Sequence, residues 1–377
     1  MKSHTFQLPG LLLVLGLGML SCKSNEAKVI AKTSTVFYVG TYTGESSQGI
    51  YKYSIDSEGV MNALGLVAET TNPSFLAISP DRRHLIACNE IKDNTGQGRI
   101  ESYSIKDDRL ELLSSSPSGG AHPCHVSIDP NGVVLVANYS GGNVSLLKMD
   151  QNGVLSDLLD TKQHSGSSIT SRQQGPHAHS IWSDPHTNTI VAVDLGIDKL
   201  VMYELNEAAS QLVPSNPPSF SMPPGSGPRH LCIHPSKRWI YVINELSNSI
   251  SHLQWVEGTG YTLEQTYETL PEDFEGENTC ADIKISADGR FVYGSNRGHN
   301  SIVIFEVNPE SGTLMLVGHQ STMGSNPRNF NLTPDEQFLI VANQSSNNLI
   351  SFARDEETGL LSQRHEMEAY TPVCIVF

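Results

Sequence analysis

The sequence predicts an all-β protein, a seven-bladed β-propeller closed by pairing of its N- and C-terminal strands, and three observations predict it. A frame of two short apolar runs flanking a Pro-Asp-Gly type turn recurs about every 50 residues. Gly, Ser, Thr and Asn are plentiful, charged residues make up only 17% of the chain, and no long stretch keeps a helical apolar period, so strands joined by tight turns fit where helices do not. Each end of the chain holds part of a blade that neither end completes alone.

Taken in order, STVFYVGTY (34–42) reads as the second strand of a first blade, with QGIYKYSID and VMNALGLV as its third and fourth. Six copies of the frame follow: NPSFLAISPDRRHLIACNE (72–90), HPCHVSIDPNGVVLVANY (122–139), GPHAHSIWSDPHTNTIVAVDL (175–195), GPRHLCIHP (227–235) leading to NEL, NTCADIKISADGRFVYGSNR (278–297) and NPRNFNLTPDEQFLIVANQ (326–344). Each gives a strand, a turn and a second strand, and two further runs complete four antiparallel strands, one blade. The second apolar runs end on Asn89, Asn138, Asp194, Asn244, Asn296 and Asn343, with Thr41 in that place in the first blade. TPVCIVF (371–377) opens with Pro where a first strand should, so it supplies the first blade's missing inner strand and removes the edges of an open array.

The first residues precede this domain, which spans 35–377. MKSHTFQLPGLLLVLGLGMLSC has a Lys near its start and an apolar run from Leu11 to Leu20, too short to span a bilayer. It reads as an export signal over 1–22, followed by a tether at 23–34. MLSC resembles the lipobox of bacterial lipoproteins, with Met19 where Leu is usual, so Cys22 is the expected acylation site and the lipid anchor the only expected membrane contact. The expected location is therefore the periplasm or a membrane surface. Cys88, Cys124, Cys232, Cys280 and Cys374 are odd in number and fall in different columns of the repeat, which suits small buried hydrophobes better than a disulfide framework.

With 24 basic against 40 acidic residues, the net charge of −16 repels a polyphosphate backbone, and no nucleic-acid partner is expected. An anionic small molecule needs a local island of Arg or His. Because first and second strands of a blade are antiparallel, the start of one and the end of the other meet at a single rim. Features present in every blade there, such as the Asn column, belong to the fold; features that differ between blades are candidates for function. The residue after the Asn varies (Glu90, Tyr139, Leu195, Glu245, Arg297, Gln344). So does the pair after the opening Pro: Ser74-Phe75, Cys124-His125, His177-Ala178, Arg229-His230 and Arg328-Asn329, with Ala281-Asp282 where the Pro is missing.

These columns gather His125, His177, His179, Arg229, His230, Glu245, Asp282, Arg297 and Arg328 around one opening, with Tyr139 and Gln344 beside them. Arg229 with Glu245 alone reads equally well as a buried ion pair, but three rim arginines are hard to explain as packing. His177 and His179 face the same way on a strand, yet no third ligand and no Cys/His zinc spacing accompanies them, so no metal and no other cofactor is expected.

GPHAHS, GPRHLCIHP with VINELSN, YGSNRGHNSI, and NPRNF with VANQ together resemble the propeller-type lactonases, a family that includes cycloisomerase-like 6-phosphogluconolactonases and fungal carboxy-muconate cyclases. The resemblance covers 35–377. It implies metal-independent catalysis by His179, Arg229, Glu245 and Arg297 at the channel mouth, Arg328 as an additional anion contact, and a small-molecule lactone as substrate. Lactone hydrolysis needs a general base for water and donors for a carbonyl oxygen that becomes negative. Glu245, or His179 with Glu245 nearby, fits the base, and Arg229 and Arg297 fit an oxyanion, a carboxylate or a phosphate. No Gly-x-Ser-x-Gly elbow is present for a serine acyl-enzyme. Two alternatives remain open: a lyase resembling the muconate cyclases, and a non-catalytic exported propeller that binds a ligand.

Overall fold

The computed structural model describes residues 1–8, 10 and 34–377. The signal-peptide cleavage, the acylation of Cys22 and the tether lie outside the described residues. Within Thr33–Phe377, 28 strands form seven four-stranded antiparallel sheets. Blade 1 joins Pro372–Val376 to Ser34–Thr41, Gly49–Asp56 and Met61–Glu69, so the C-terminal strand pairs with the N-terminal one through Tyr38↔Val376, Val39↔Ile375 and Gly40↔Cys374. The predicted closure is the one observed. A side chain at Gly40 would put its Cβ 2.2 Å from the carbonyl oxygen of Pro73 in the next blade, which is why the seam takes glycine there.

Blades 2 to 7 follow in sequence. Their inner strands are Pro73–Ile78, Pro123–Ile128, Ala178–Asp184, Pro228–Ile233, Thr279–Ile285 and Pro327–Leu332, and their second strands are His84–Asn89, Val133–Asn138, Thr189–Asp194, Trp239–Asn244, Phe291–Arg297 and Phe338–Asn343. The second strands read as unbroken apolar runs, VVLVAN and FLIVAN among them, because they are buried on both faces. Outer strands such as Leu361–Glu368 are mostly exposed, with Leu361 buried and His365 and Met367 half-buried. Seven buried clusters form the core, each shared by two neighbouring blades. Tyr241, Ile243 and Ile250 of blade 5, for example, pack on Ile283, Val292 and Val303 of blade 6.

The pairing of inner with second strand is repeated: Pro73↔Asn89, Pro123↔Asn138, Ala178↔Asp194, Pro228↔Asn244 and Pro327↔Asn343. The Asn side chains bond across to the connection leaving the preceding blade. Nδ2 of Asn89, Asn138, Asn296 and Asn343 donates to the carbonyls of Thr71, Ser118, Thr269 and Thr322 at 2.8–3.0 Å. The repeated column is therefore a structural pin.

One expectation is corrected here. The opening pair of blade 4 is His179-Ser180, not His177-Ala178, because Ala178 occupies the place taken by Pro in other blades. Asp194 Oδ1 accepts the backbone N–H of His177 at 2.8 Å, which holds His177 in the place before that column.

Candidate active site

In blades 2 to 5 and 7 the inner strand carries a β-bulge one residue after the opening Pro or Ala, and the bulge decides which side chain turns into the mouth. The register slips between Pro73 and Phe75, Pro123 and His125, Ala178 and Ser180, Pro228 and His230, and Pro327 and Asn329. The residues left without a partner are Ser74, Cys124, His179, Arg229 and Arg328. A bulge re-aims the extra residue out of the alternation of the strand, so His179, Arg229 and Arg328 leave the sheet faces at equivalent points of blades 4, 5 and 7. Blade 6 slips by more, between Cys280 and Ile283.

The residue before several of these prolines adopts a left-handed conformation, with φ of 45° at Asn72, 51° at His122, 58° at Gly227 and 61° at Asn326. Its carbonyl then accepts the N–H of the residue after the Asn: Glu90 (2.9 Å), Tyr139 (2.9 Å), Glu245 (2.7 Å) and Gln344 (3.0 Å). Gly227 is the glycine of GPRH, and its own N–H donates to Asp198 Oδ1 at 2.7 Å. The same backbone device thus presents a different side chain in each blade.

At the mouth, Glu245 is the hub. Its Oε2 lies 3.0 Å from Arg229 Nε and 3.0 Å from Arg297 Nη2, and its Oε1 lies 2.7 Å from Arg172 Nη1. Burial would raise its pKa, but Arg297, Arg229 and Arg172 outweigh that and hold it at about 2. Glu245 is thus a fixed anion. Arg229 Nη1 donates to the carbonyl of Ala281 at 2.6 Å and Arg297 Nη2 to that of Cys280 at 2.8 Å. The Nε–H groups of both arginines are buried without a hydrogen-bond acceptor among the described residues, since the approach of Arg229 Nε to Glu245 is an ion pair without hydrogen-bond alignment.

His179 is buried beside this group. Its ring centroid lies 5.3 Å from that of His230 and 5.4 Å from that of Tyr139, and its Nδ1 is 3.8 Å from Cys124 Sγ. Burial, and then the charge of Arg229, push its pKa well below the ordinary imidazole value, so the ring is neutral. His177 stacks on Tyr139 at 4.5 Å and 13° and its Nδ1 sits 3.0 Å from the Tyr139 carbonyl. Arg328 Nη2 donates to Tyr42 Oη at 2.8 Å, and Tyr42 donates to Glu90 Oε2 at 2.7 Å. Gln344 lies at the edge, where its Oε1 meets Asn326 Nδ2 at 3.4 Å.

His125, His230 and Asp282 sit one layer further along the inner strands, below the mouth. Asp282 is saturated: its Oδ1 takes His230 Nδ1 at 3.0 Å, and its Oδ2 takes Asn329 Nδ2 at 2.6 Å and Lys284 Nζ at 3.0 Å. His125 packs between Phe75 and Trp182, both at 4.4 Å. Among the described residues, no three or more His, Cys, Asp or Glu side chains converge as metal ligands.

Three contributors lie outside the candidate set drawn from the sequence. Tyr42 follows Thr41 and so holds the blade 1 position of the variable column, and Glu90 was in that column; both were legible as mouth residues. Arg172 lies on the irregular connection between blades 3 and 4, where no repeat marks it.

Comparisons with known proteins give the family. A family model described as Lactonase, 7-bladed beta-propeller, matches residues 36–377. The chain is 39% identical over 351 residues to a 6-phosphogluconolactonase of Bacillus subtilis, covering 92% of this chain and 99% of that one. It is 35% identical over 337 residues to a 6-phosphogluconolactonase of Formosa agariphila, covering 86% and 94%. The solved structure of the periplasmic gluconolactonase of Pseudomonas aeruginosa superposes with a TM-score of 0.86 at 35% identity, covering 92% of this chain and 99% of that one. Blade count and matched length therefore agree, and the chain belongs to the seven-bladed β-propeller lactonase family.

Proposed function

We propose that the protein hydrolyses a sugar lactone to its hydroxy acid at the mouth built by blades 4 to 6, a carboxylic-ester hydrolysis without a covalent intermediate. The observation that carries this reading is the pair of buried Nε–H groups on Arg229 and Arg297, neither of them hydrogen-bonded among the described residues, beside the neutral imidazole of His179. Donors held in place before reaction, away from water, suit an oxygen that becomes negative only in the transition state.

Glu245 is held near pKa 2 and faces three guanidiniums. It is therefore the residue that positions Arg229 and Arg297, and His179 is the group that exchanges a proton. In the reaction His179 takes a proton from water as the water oxygen bonds to the lactone carbonyl carbon. The carbonyl oxygen becomes an oxyanion against Arg229 and Arg297. Its collapse breaks the ring C–O bond, and the departing alkoxide takes the proton back from His179. An anionic substrate offsets the charge of Arg229 and so raises the basicity of His179 on binding.

The test is a hydrolysis panel of five- and six-membered sugar lactones, with and without phosphate, on wild type and His179→Gln. Loss of a general base lowers turnover about 100- to 10,000-fold, and product binding should survive it. A wild-type protein that opens no lactone in the panel, or a His179→Gln variant with wild-type turnover, removes the proposal.

We also propose that the chain is exported and anchored through Cys22. The apolar run Leu11–Leu20, which leads into Ser21-Cys22, supports this, as does the description of the Pseudomonas aeruginosa relative as periplasmic. Mass analysis of the mature N-terminus and membrane fractionation test it, and an intact Met1 on soluble cytoplasmic protein overturns it.

A further inference from the structure

One cation at the mouth belongs to no column of the repeat. Arg172 sits on the connection that leaves blade 3 after Gln163 and enters blade 4 at Ala178. The backbone on either side is pinned: Ser168 N–H donates to the Gln173 carbonyl at 2.8 Å, and the buried Gln173 Nε2 donates to the Leu195 carbonyl at 2.8 Å and Asp198 Oδ1 at 2.7 Å. The Arg172 side chain, in contrast, is 45% exposed, against 3% for Arg229 and 12% for Arg297. It spans the mouth from Tyr139 Oη, 3.1 Å from its Nη2, to Glu245 Oε1, 2.7 Å from its Nη1.

The two oxygens of Glu245 differ in what holds them. Oε2 keeps both buried arginines, whereas Oε1 has, among the described residues, only Arg172 as its cation. Arg172 can therefore leave Glu245 without stranding a buried carboxylate, which neither Arg229 nor Arg297 can do as cheaply. The charges of the mouth also leave a surplus. Four guanidiniums (Arg172, Arg229, Arg297, Arg328) face two carboxylates (Glu245, Glu90), an excess of two positive charges in a chain of net charge −16. A phosphate monoester, at roughly −1.5 to −2 near neutral pH, matches that excess.

We propose that Arg172 is the residue that selects phosphorylated over unphosphorylated sugar lactones, exchanging Glu245 Oε1 for the phosphate of the entering ligand. This rests on the lactonase reading above and names the substrate class within it. The planar fork that now bridges Glu245 and Tyr139 is the shape that grips two phosphate oxygens. An unphosphorylated lactone gives Arg172 nothing to exchange onto.

The experiment compares wild type, Arg172→Gln and Arg172→Lys in two ways: calorimetric binding of 6-phosphogluconate and gluconate, and steady-state hydrolysis of the two corresponding 1,5-lactones. Arg172→Gln should weaken 6-phosphogluconate about 10- to 100-fold, the range for a lost charge-assisted hydrogen bond, and gluconate several-fold less. The loss on the phosphorylated lactone should appear in KM, with kcat within a few-fold, and Arg172→Lys should recover part of it. Equal weakening of both acids, no weakening of either, wild type binding neither acid, or an equal fall in kcat on both lactones overturns the assignment, the last result making Arg172 a strut for Glu245. Selective binding through Arg172 by a wild type that opens neither lactone sinks the lactonase reading and leaves this site standing. Hydrolysis with no selective loss in Arg172→Gln sinks this site alone.

Discussion

The two ends of the inner strands are built from the same repeat and differ in what they carry. At one end the turn to the second strand is closed in blade after blade by an Asp that accepts its own loop's amides. Asp81, Asp129, Asp288 and Asp335 accept the N–H groups of Arg83, Asn131, Arg290 and Gln337 at 2.9–3.3 Å. At the other end the bulge and the captured amide after the Asn are equally regular in backbone, but the side chains they present are Ser74, Cys124, His179, Arg229 and Arg328, with Glu90, Tyr139, Glu245 and Gln344 beside them. A ring of near-identical turns has no means of orienting an asymmetric ligand. A ring of identical backbone devices with unlike side chains does, and only this end gathers guanidiniums around one carboxylate.

The comparison breaks most drastically if the ring is opened. Deleting Thr371–Phe377 removes the strand that pairs with Ser34–Thr41, and with it Ile375 and Phe377 from the cluster in which Ile375 meets Phe37 and Ile340. The expected outcome is aggregated or unfolded protein, and a soluble truncation with an unchanged melting transition contradicts closure.

Arg229→Met tests the mouth with the fold intact. Turnover should fall about 100- to 1,000-fold, as when one preorganised oxyanion donor is lost. Wild-type rates in a folded variant would move the chemistry elsewhere.

Acid should destabilise the fold through its buried imidazoles, those below the mouth among them. Burial first, then the charges of Lys284 and Arg229, hold the His125 pKa at about 3, and burial with Arg229 holds His179 and His230 well below the ordinary value. Their folded pKa values lie below the unfolded value of about 6.5, so between the two the unfolded chain binds more protons and stability rises with pH. Their contribution is fully present above about pH 6.5 and falls below it by up to about 1.4 kcal/mol per pH unit for each ring. Chemical denaturation from pH 7.5 to 5 should show this slope, and His125→Phe should flatten it. An unchanged slope in that variant would show that His125 does not titrate as described.

The smallest effect belongs to the turn end. Asp335→Ala removes the acceptor for Thr333 Oγ1 and Gln337 N–H and should cost about 1 kcal/mol of stability, with kcat on the best lactone unchanged. A loss of turnover there larger than the loss of folded protein would erase the distinction between the two ends.

By itself the sequence determined the blades, their number and their closure, because each strand's burial is written in its own residues and the frame repeats often enough to count. It also determined which columns face the mouth, since antiparallel pairing fixes what lies opposite Asn244 once Pro228 is located. What only the tertiary structure decided was the direction and state of those residues. The bulges turn His179 and Arg229 out of their sheets, and Asp194 holds His177 ahead of the bulge position, in a stack on Tyr139. Strand alternation read from residue types does not carry a one-residue slip. Glu245 looked equally fit to be a base until Arg172 arrived from an aperiodic connection to join Arg229 and Arg297 and hold it near pKa 2. Strand and column are local and periodic and can be read along the chain, whereas the charge state of a buried group depends on whatever comes within a few ångströms of it, from any distance in sequence.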